Sequence, residues 1–101
     1  MSYQEIRYQN TFQDVSVDEN GTVLDIGEGN KQILIVNKGS DAVYVKEGEA
    51  ANAGSGSLQI AANGSVTISV TNSSLGLICA AGKTATVTVG KQVPAWHTVT
   101  P

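Results

Sequence analysis

The chain has 101 residues, 41% of them hydrophobic and 15% charged, with 11 glycines and a formal net charge of -3. That length holds one domain with a single core, and the glycine-rich, charge-poor composition favours a turn-rich all-β architecture over helices. Six Lys and Arg against nine Asp and Glu leave no basic stripe to displace counterions from a phosphate backbone, so nucleic-acid binding is not expected.

The first stretch, residues 1–12, carries Tyr3, Ile6, Tyr8 and Phe12 and is read as an N-terminal arm. Val15 and Val17 then alternate with polar residues, and Asn20-Gly21 reads as a two-residue hairpin turn into a strand from Thr22 to Ile26. After Gly27-Glu28-Gly29-Asn30, the run Gln32 to Asn37 is apolar on both faces through Ile33-Leu34-Ile35-Val36, which predicts a central strand. Lys38-Gly39-Ser40-Asp41 turns it into Ala42 to Lys46, with Val43 and Val45 on one face and Tyr44 on the other. Glu49 to Ser57 consists largely of small residues and is expected to be a surface loop.

A short strand around Leu58-Gln59-Ile60 leads to the turn Ala62-Asn63-Gly64. Ser65 to Thr71 then alternates, with Val66, Ile68 and Val70 inward. Leu75 to Ala80 is a second two-faced apolar run, and Ala81-Gly82-Lys83 turns it into Thr84 to Val89, where Ala85, Val87 and Val89 alternate with threonines. Seven or eight short strands, no helix and one core predict an antiparallel β-sandwich of jelly-roll or immunoglobulin-like type over residues 13–90. Residues 91–101, with Pro94, Trp96 and His97, form a C-terminal tail.

The distribution of rings is uneven. Of five aromatic residues, Tyr3, Tyr8, Phe12 and Trp96 lie in the terminal stretches, and only Tyr44 lies in the body. Large rings bury much apolar surface, so their placement on the ends suits anchoring to another surface; Tyr3, Ile6, Tyr8, Phe12 and Trp96 are the candidate interface residues. Extended, Met1 to Phe12 spans on the order of 40 Å at about 3.3 Å per residue, enough to reach a neighbour. The alternative is that this segment adds an edge strand to its own sheet.

All nine carboxylates lie at or before Glu49, and Lys83 and Lys91 are the only charged side chains after it, so part of the surface is expected to be acidic and part nearly neutral. Cys79 is the single cysteine, which excludes an internal disulfide; within Leu77-Ile78-Cys79-Ala80 it is expected to be a buried small hydrophobe. The start Met-Ser-Tyr-Gln-Glu has no basic or apolar leader pattern and no apolar run spans a bilayer, which predicts synthesis in a cytoplasm and no membrane partner.

Enzymatic and metal-binding patterns are incomplete. His97 stands in no triad signature. Gly82-Lys83-Thr84 ends like a phosphate-binding loop but has Leu77 where the first glycine belongs, and a strand follows. Ser16, Asp18, Asn20 and Gly21 echo half a calcium loop, yet Gly27 occupies the position of the bidentate Glu. No enzyme activity, metal or cofactor is therefore expected.

Asn37-Lys38-Gly39-Ser40-Asp41-Ala42-Val43-Tyr44-Val45-Lys46 with Gly48, then Ala62-Asn63-Gly64-Ser65-Val66-Thr67-Ile68, Leu77-Ile78-Cys79-Ala80 and Thr84-Ala85-Thr86-Val87-Thr88-Val89, resembles the small β-rich proteins of tailed-bacteriophage heads, among them capsid decoration or cement proteins. The resemblance covers about half the chain and excludes the arms. It implies a virion structural protein on the capsid exterior, bound to the major capsid protein and to itself, with a homotrimer favoured and a dimer as the alternative. A head-tail connector or tail-associated protein, and a carbohydrate-binding β-sandwich, are the competing expectations. The body's lone Tyr44 disfavours the last, since such modules present aromatic platforms.

Overall fold

The computed structural model describes residues 1–48, 51 and 56–100, with the backbone alone described for Ala95 and Trp96. Among the described residues eight strands follow one another: β1 Tyr3–Val17, β2 Thr22–Asp25, β3 Lys31–Asn37, β4 Val43–Glu47, β5 Leu58–Ile60, β6 Ser65–Val70, β7 Ser74–Cys79 and β8 Ala85–Val99. They form two four-stranded sheets, β1-β8-β3-β6 and β2-β7-β4-β5, in which every pairing is antiparallel. The expected β-sandwich is present, and its strand order is that of a jelly roll.

The topology has a simple physical description. β1 pairs with β8, β2 with β7, β3 with β6 and β4 with β5, and the midpoint of each pairing falls between residues 49 and 52. The chain is one long hairpin folded back about its centre and rolled so that successive pairs alternate between sheets.

Alternation supplies the core. Ile33 and Ile35 of β3, Val43 and Val45 of β4, Leu75 and Leu77 of β7, and Val87 and Val89 of β8 are buried between the sheets, with Val66 and Ile68 of β6 packed against them. Leu34 and Val36 are only half-buried on the outer face of β3, although that strand is central as expected. Gly39 shows how closely the β3–β4 turn approaches β8: a methyl there would stand 2.8 Å from the Ala85 Cα.

One local expectation is corrected. Asn20-Gly21 does turn the chain, with the Gly21 N–H donating to the Asp18 carbonyl at 3.2 Å, but β1 and β2 do not form a hairpin. They lie in different sheets. The turn residues were legible; the strand after them was free to pair with either sheet, and it pairs with β7. The stretch Glu49 to Ser57, expected to be a loop, falls largely outside the described residues.

Candidate functional site

β1 and β8 are each 15 residues long, more than twice the length of any other strand. Their register runs from Tyr3↔Val99 to Val17↔Ala85 without a bulge. β3 accompanies β8 only from Val87 to Gln92. Beyond Gln92 the pairs from Gln9↔Val93 out to Tyr3↔Val99 have no third strand among the described residues, so β1 and β8 leave the sandwich as a two-stranded ribbon about 23 Å long at 3.3 Å per residue. The ribbon gives the molecule its elongated outline of 60 × 22 × 16 Å.

The two arms expected from the sequence are thus one object, with residues 1–12 paired to residues of the C-terminal stretch. The N-terminal segment also realises the alternative reading, because β1 is the edge strand of its own sheet. Neither residue 12 nor residue 90 marks a break, since β1 and β8 run continuously through both.

Strand parity sorts the ribbon's side chains. Val15 and Val17 point into the sandwich, so the odd positions of β1 continue the core face and the even positions the outer face. Ile6, Tyr8 and Phe12 therefore share the outer face, and Tyr3 lies on the other. All four are exposed: Tyr3 at 53%, Ile6 at 48%, Tyr8 at 60% and Phe12 at 66%. Trp96 lies directly across from Ile6 in register, and its side chain is outside the described residues.

Phe12 is seated in a particular way. It is paired with Gly90, and a methyl on Gly90 would meet the Phe12 ring at 2.8 Å and the Leu34 Cβ at 3.5 Å. The absent side chain lets the ring lie across β8 toward β3, so the aromatic stripe joins half-buried Leu34 on the outer face. At the root of the ribbon, Tyr8 and Pro94 wall a hollow of about 370 Å³ whose other side is formed by Gln32, Ser69, Thr71 and Gln92. It is a mixed apolar and amide-rich surface. Lys31, which also lines it, is buried and donates from Nζ to the Gly29 carbonyl at 2.7 Å.

The ribbon's polar contacts lie on its surface. Gln4 Nε2 donates to Thr98 Oγ1 at 2.6 Å across the two strands, and Arg7 forms an ion pair with Glu5 at 2.7 Å. Nearer the sandwich, Asp14 accepts from Thr88 Oγ1 at 2.7 Å and from Lys38 Nζ at 3.0 Å. These bonds, with the Lys38 charge, hold its carboxyl below the ordinary aspartate value.

The residues weighed for chemistry are dispersed. His97 is exposed on β8 opposite Glu5. Cys79 is buried in β7, with Sγ 3.6 Å from the Val17 carbonyl, and burial first, then the nearby Asp41 and Asp18, pushes its thiol pKa up, away from thiolate reactivity. Asp18, from the calcium-like stretch, is engaged locally: its Oδ1 accepts from the Asn20 N–H at 2.9 Å, and its carbonyl accepts from the Cys79 N–H at 3.0 Å. Gly82-Lys83-Thr84 is a turn closed by the Lys83 N–H on the Ala80 carbonyl at 3.0 Å. Among the described residues, no three His, Cys, Asp or Glu side chains converge as a metal site.

Of the rings in the terminal stretches, Tyr3, Tyr8 and Phe12 are exposed. The partnership of the two ends, and the role of Gly90 in seating Phe12, carried no local signal. Compared with known proteins, the chain matches no family model and no curated protein.

Proposed function

We propose that this chain is a non-enzymatic capsid decoration protein, which attaches to the outer surface of a major capsid protein shell through the β1/β8 ribbon and reinforces contacts between neighbouring shell subunits. The observation that carries the reading is the ribbon: an extension that holds Ile6, Tyr8 and Phe12 in water, where each apolar side chain costs free energy until another surface receives it. The sequence resemblance to phage head proteins supplies the kind of partner. A jelly roll by itself hosts many functions and supports the reading only as a compatible scaffold.

In this reading the sandwich is the mass that sits on the shell and the ribbon is the anchor. Apolar burial of the rings supplies affinity, and repetition over a symmetric lattice multiplies modest contacts through effective concentration. The test is binding of the purified protein to empty shells of the tailed phage that encodes it, with Tyr8→Ala, Phe12→Ala and Trp96→Ala alongside. Loss of about 2 kcal/mol or more for at least one ring, with unchanged circular dichroism, is the expected result. Full occupancy by all three variants overturns the role of the ribbon. Electron microscopy of labelled particles decides the location, since density at a single vertex instead of over the shell makes the protein a connector.

A further inference from the structure

An edge strand is a row of unpaired N–H and C=O groups, and proteins blunt it with shortness, lysine, proline, bulges or a covering element. The other edges of this sandwich are short: β2 has four residues, β5 three and β6 six. β1 departs from that pattern. It has 15 residues, contains neither lysine nor proline, and pairs with β8 without a bulge; its charges are Glu5 and Arg7, which pair with each other, and Asp14, which is held by Thr88 and Lys38. Among the described residues β8 is the one strand paired with it, so its other edge has no strand partner; that edge is covered at its inner end, where Val17 is buried and its carbonyl accepts from Cys79 Sγ.

We infer that the β1 edge is a homodimer interface, in which β1 of two copies pair antiparallel about a twofold axis passing beside Asn10. Three observations select a second copy as the occupant. First, a twofold centred on Asn10 overlaps Tyr3–Val17 with itself from end to end, whereas any other centre leaves strand ends unpaired.

Second, that register is chemically self-compatible. Tyr8 lies opposite the second copy's Phe12, twice by symmetry, on the outer face where cross-strand aromatic pairs are favourable. Arg7 faces Gln13, Glu5 faces Val15, and Asp14 faces Ile6 while keeping its own Thr88 and Lys38 partners, so no like charges are opposed.

Third, the pairing answers the weakness of the ribbon. A two-stranded ribbon is marginal in water. In the dimer, residues 3–9 of each copy lie along residues 11–17 of the other, so each ribbon gains a third strand and extends its partner's sheet. The contact is isologous and closes on itself, because each copy offers one such edge. On the outer face the two Tyr8–Phe12 pairs flank the paired Asn10 side chains at the twofold. This favours a dimer over the trimer expected from the sequence, and it does not rest on the capsid reading, because the free protein tests it.

The test uses sedimentation of the full chain with variants at the self-opposed position. The native protein is expected to sediment as a dimer at micromolar concentration. Asn10→Lys and Asn10→Glu each place like charges face to face and weaken association about fivefold or more, and an equimolar mixture of the two restores it as a heterodimer. Asn10→Cys is expected to form an intermolecular disulfide on mild oxidation, because directly opposed strand residues lie within disulfide reach. Gln4→Cys, whose counterpart lies 12 residues along the strand, does not cross-link. A native monomer or trimer overturns the inference. So does a dimer in which Asn10→Cys fails to cross-link, or one in which the lysine and glutamate variants associate as well as the native chain.

Discussion

Asn37 is the one uncharged polar side chain fully buried in the described core, and its amide explains why the β3–β4 turn stays closed. Nδ2 donates to the Asp41 carbonyl at 2.8 Å and the Ile60 carbonyl at 3.1 Å, while Oδ1 accepts from the Gly39 N–H at 2.9 Å. One side chain therefore bonds backbone groups of the β3–β4 turn and of the last residue of β5, tying the two together. Asn37→Leu keeps the side-chain branching and removes those bonds, leaving the Ile60 and Asp41 carbonyls without this donor. Urea denaturation is expected to show a loss of about 2–3 kcal/mol. A change within about 0.5 kcal/mol would mean that water replaces the amide. Asp14 acts more weakly at this scale. Its lowered pKa gives a contribution to stability that is present above its unfolded value and lost as pH falls through its folded one, and its exposure to solvent keeps that contribution small.

At the scale of elements, Gly90 connects the ribbon to the sandwich. A glycine weakens a strand on entropic grounds, yet here it opens the space that Phe12 occupies between β1 and β3. Gly90→Ala puts a methyl where the ring lies. The ring is free to swing outward because one of its faces is in water, so the expected outcome is a displaced Phe12 with the β-sheet intact. Nuclear Overhauser contacts between the Phe12 ring and Leu34 are expected to disappear while backbone shifts outside β1, β3 and β8 stay put. Stability changes by about 1 kcal/mol or less. Retained Phe12–Leu34 contacts would show that β8 itself moves to admit the methyl.

The whole molecule separates into a body that folds and a ribbon that reaches. Every residue of the hydrophobic core cluster, and every one packed on it, lies between Val15 and Val89, so the ribbon contributes none of them. Removing residues 1–9 and 93–101 together is therefore expected to leave the sandwich folded, with a far-ultraviolet β spectrum and a stability within about 1 kcal/mol of the full chain, while the shell binding proposed above is lost. Unfolding of the truncated chain would show that pairing of the two ends is needed to hold the sheets together. Such a dependence is physically meaningful here, because bonds such as Gln4 to Thr98 join residues 94 apart and close nearly the entire chain.

Alternation along the chain was sufficient by itself to define the strands of the body between Val15 and Val89, though not the strand character of the two ends. Val43 and Val45 against Tyr44, Val66, Ile68 and Val70 against Thr67 and Ser69, and Ala85, Val87 and Val89 against their threonines all face as their period dictates, because burial of one sheet face is a local demand on sequence. The uneven placement of aromatics likewise marked the ends as the place where rings are exposed. Strand partnership is another matter. Asn20-Gly21 looks like a hairpin turn whichever strand follows it, and only the competition among all eight strands for two sheets sends β2 to β7. Nothing local in residues 3–12 or 91–99 says that they pair with one another, since backbone hydrogen bonds are the same for every partner. The tertiary structure decides it by folding the chain back about its middle, which brings the two ends into register and leaves them nothing else to lie against.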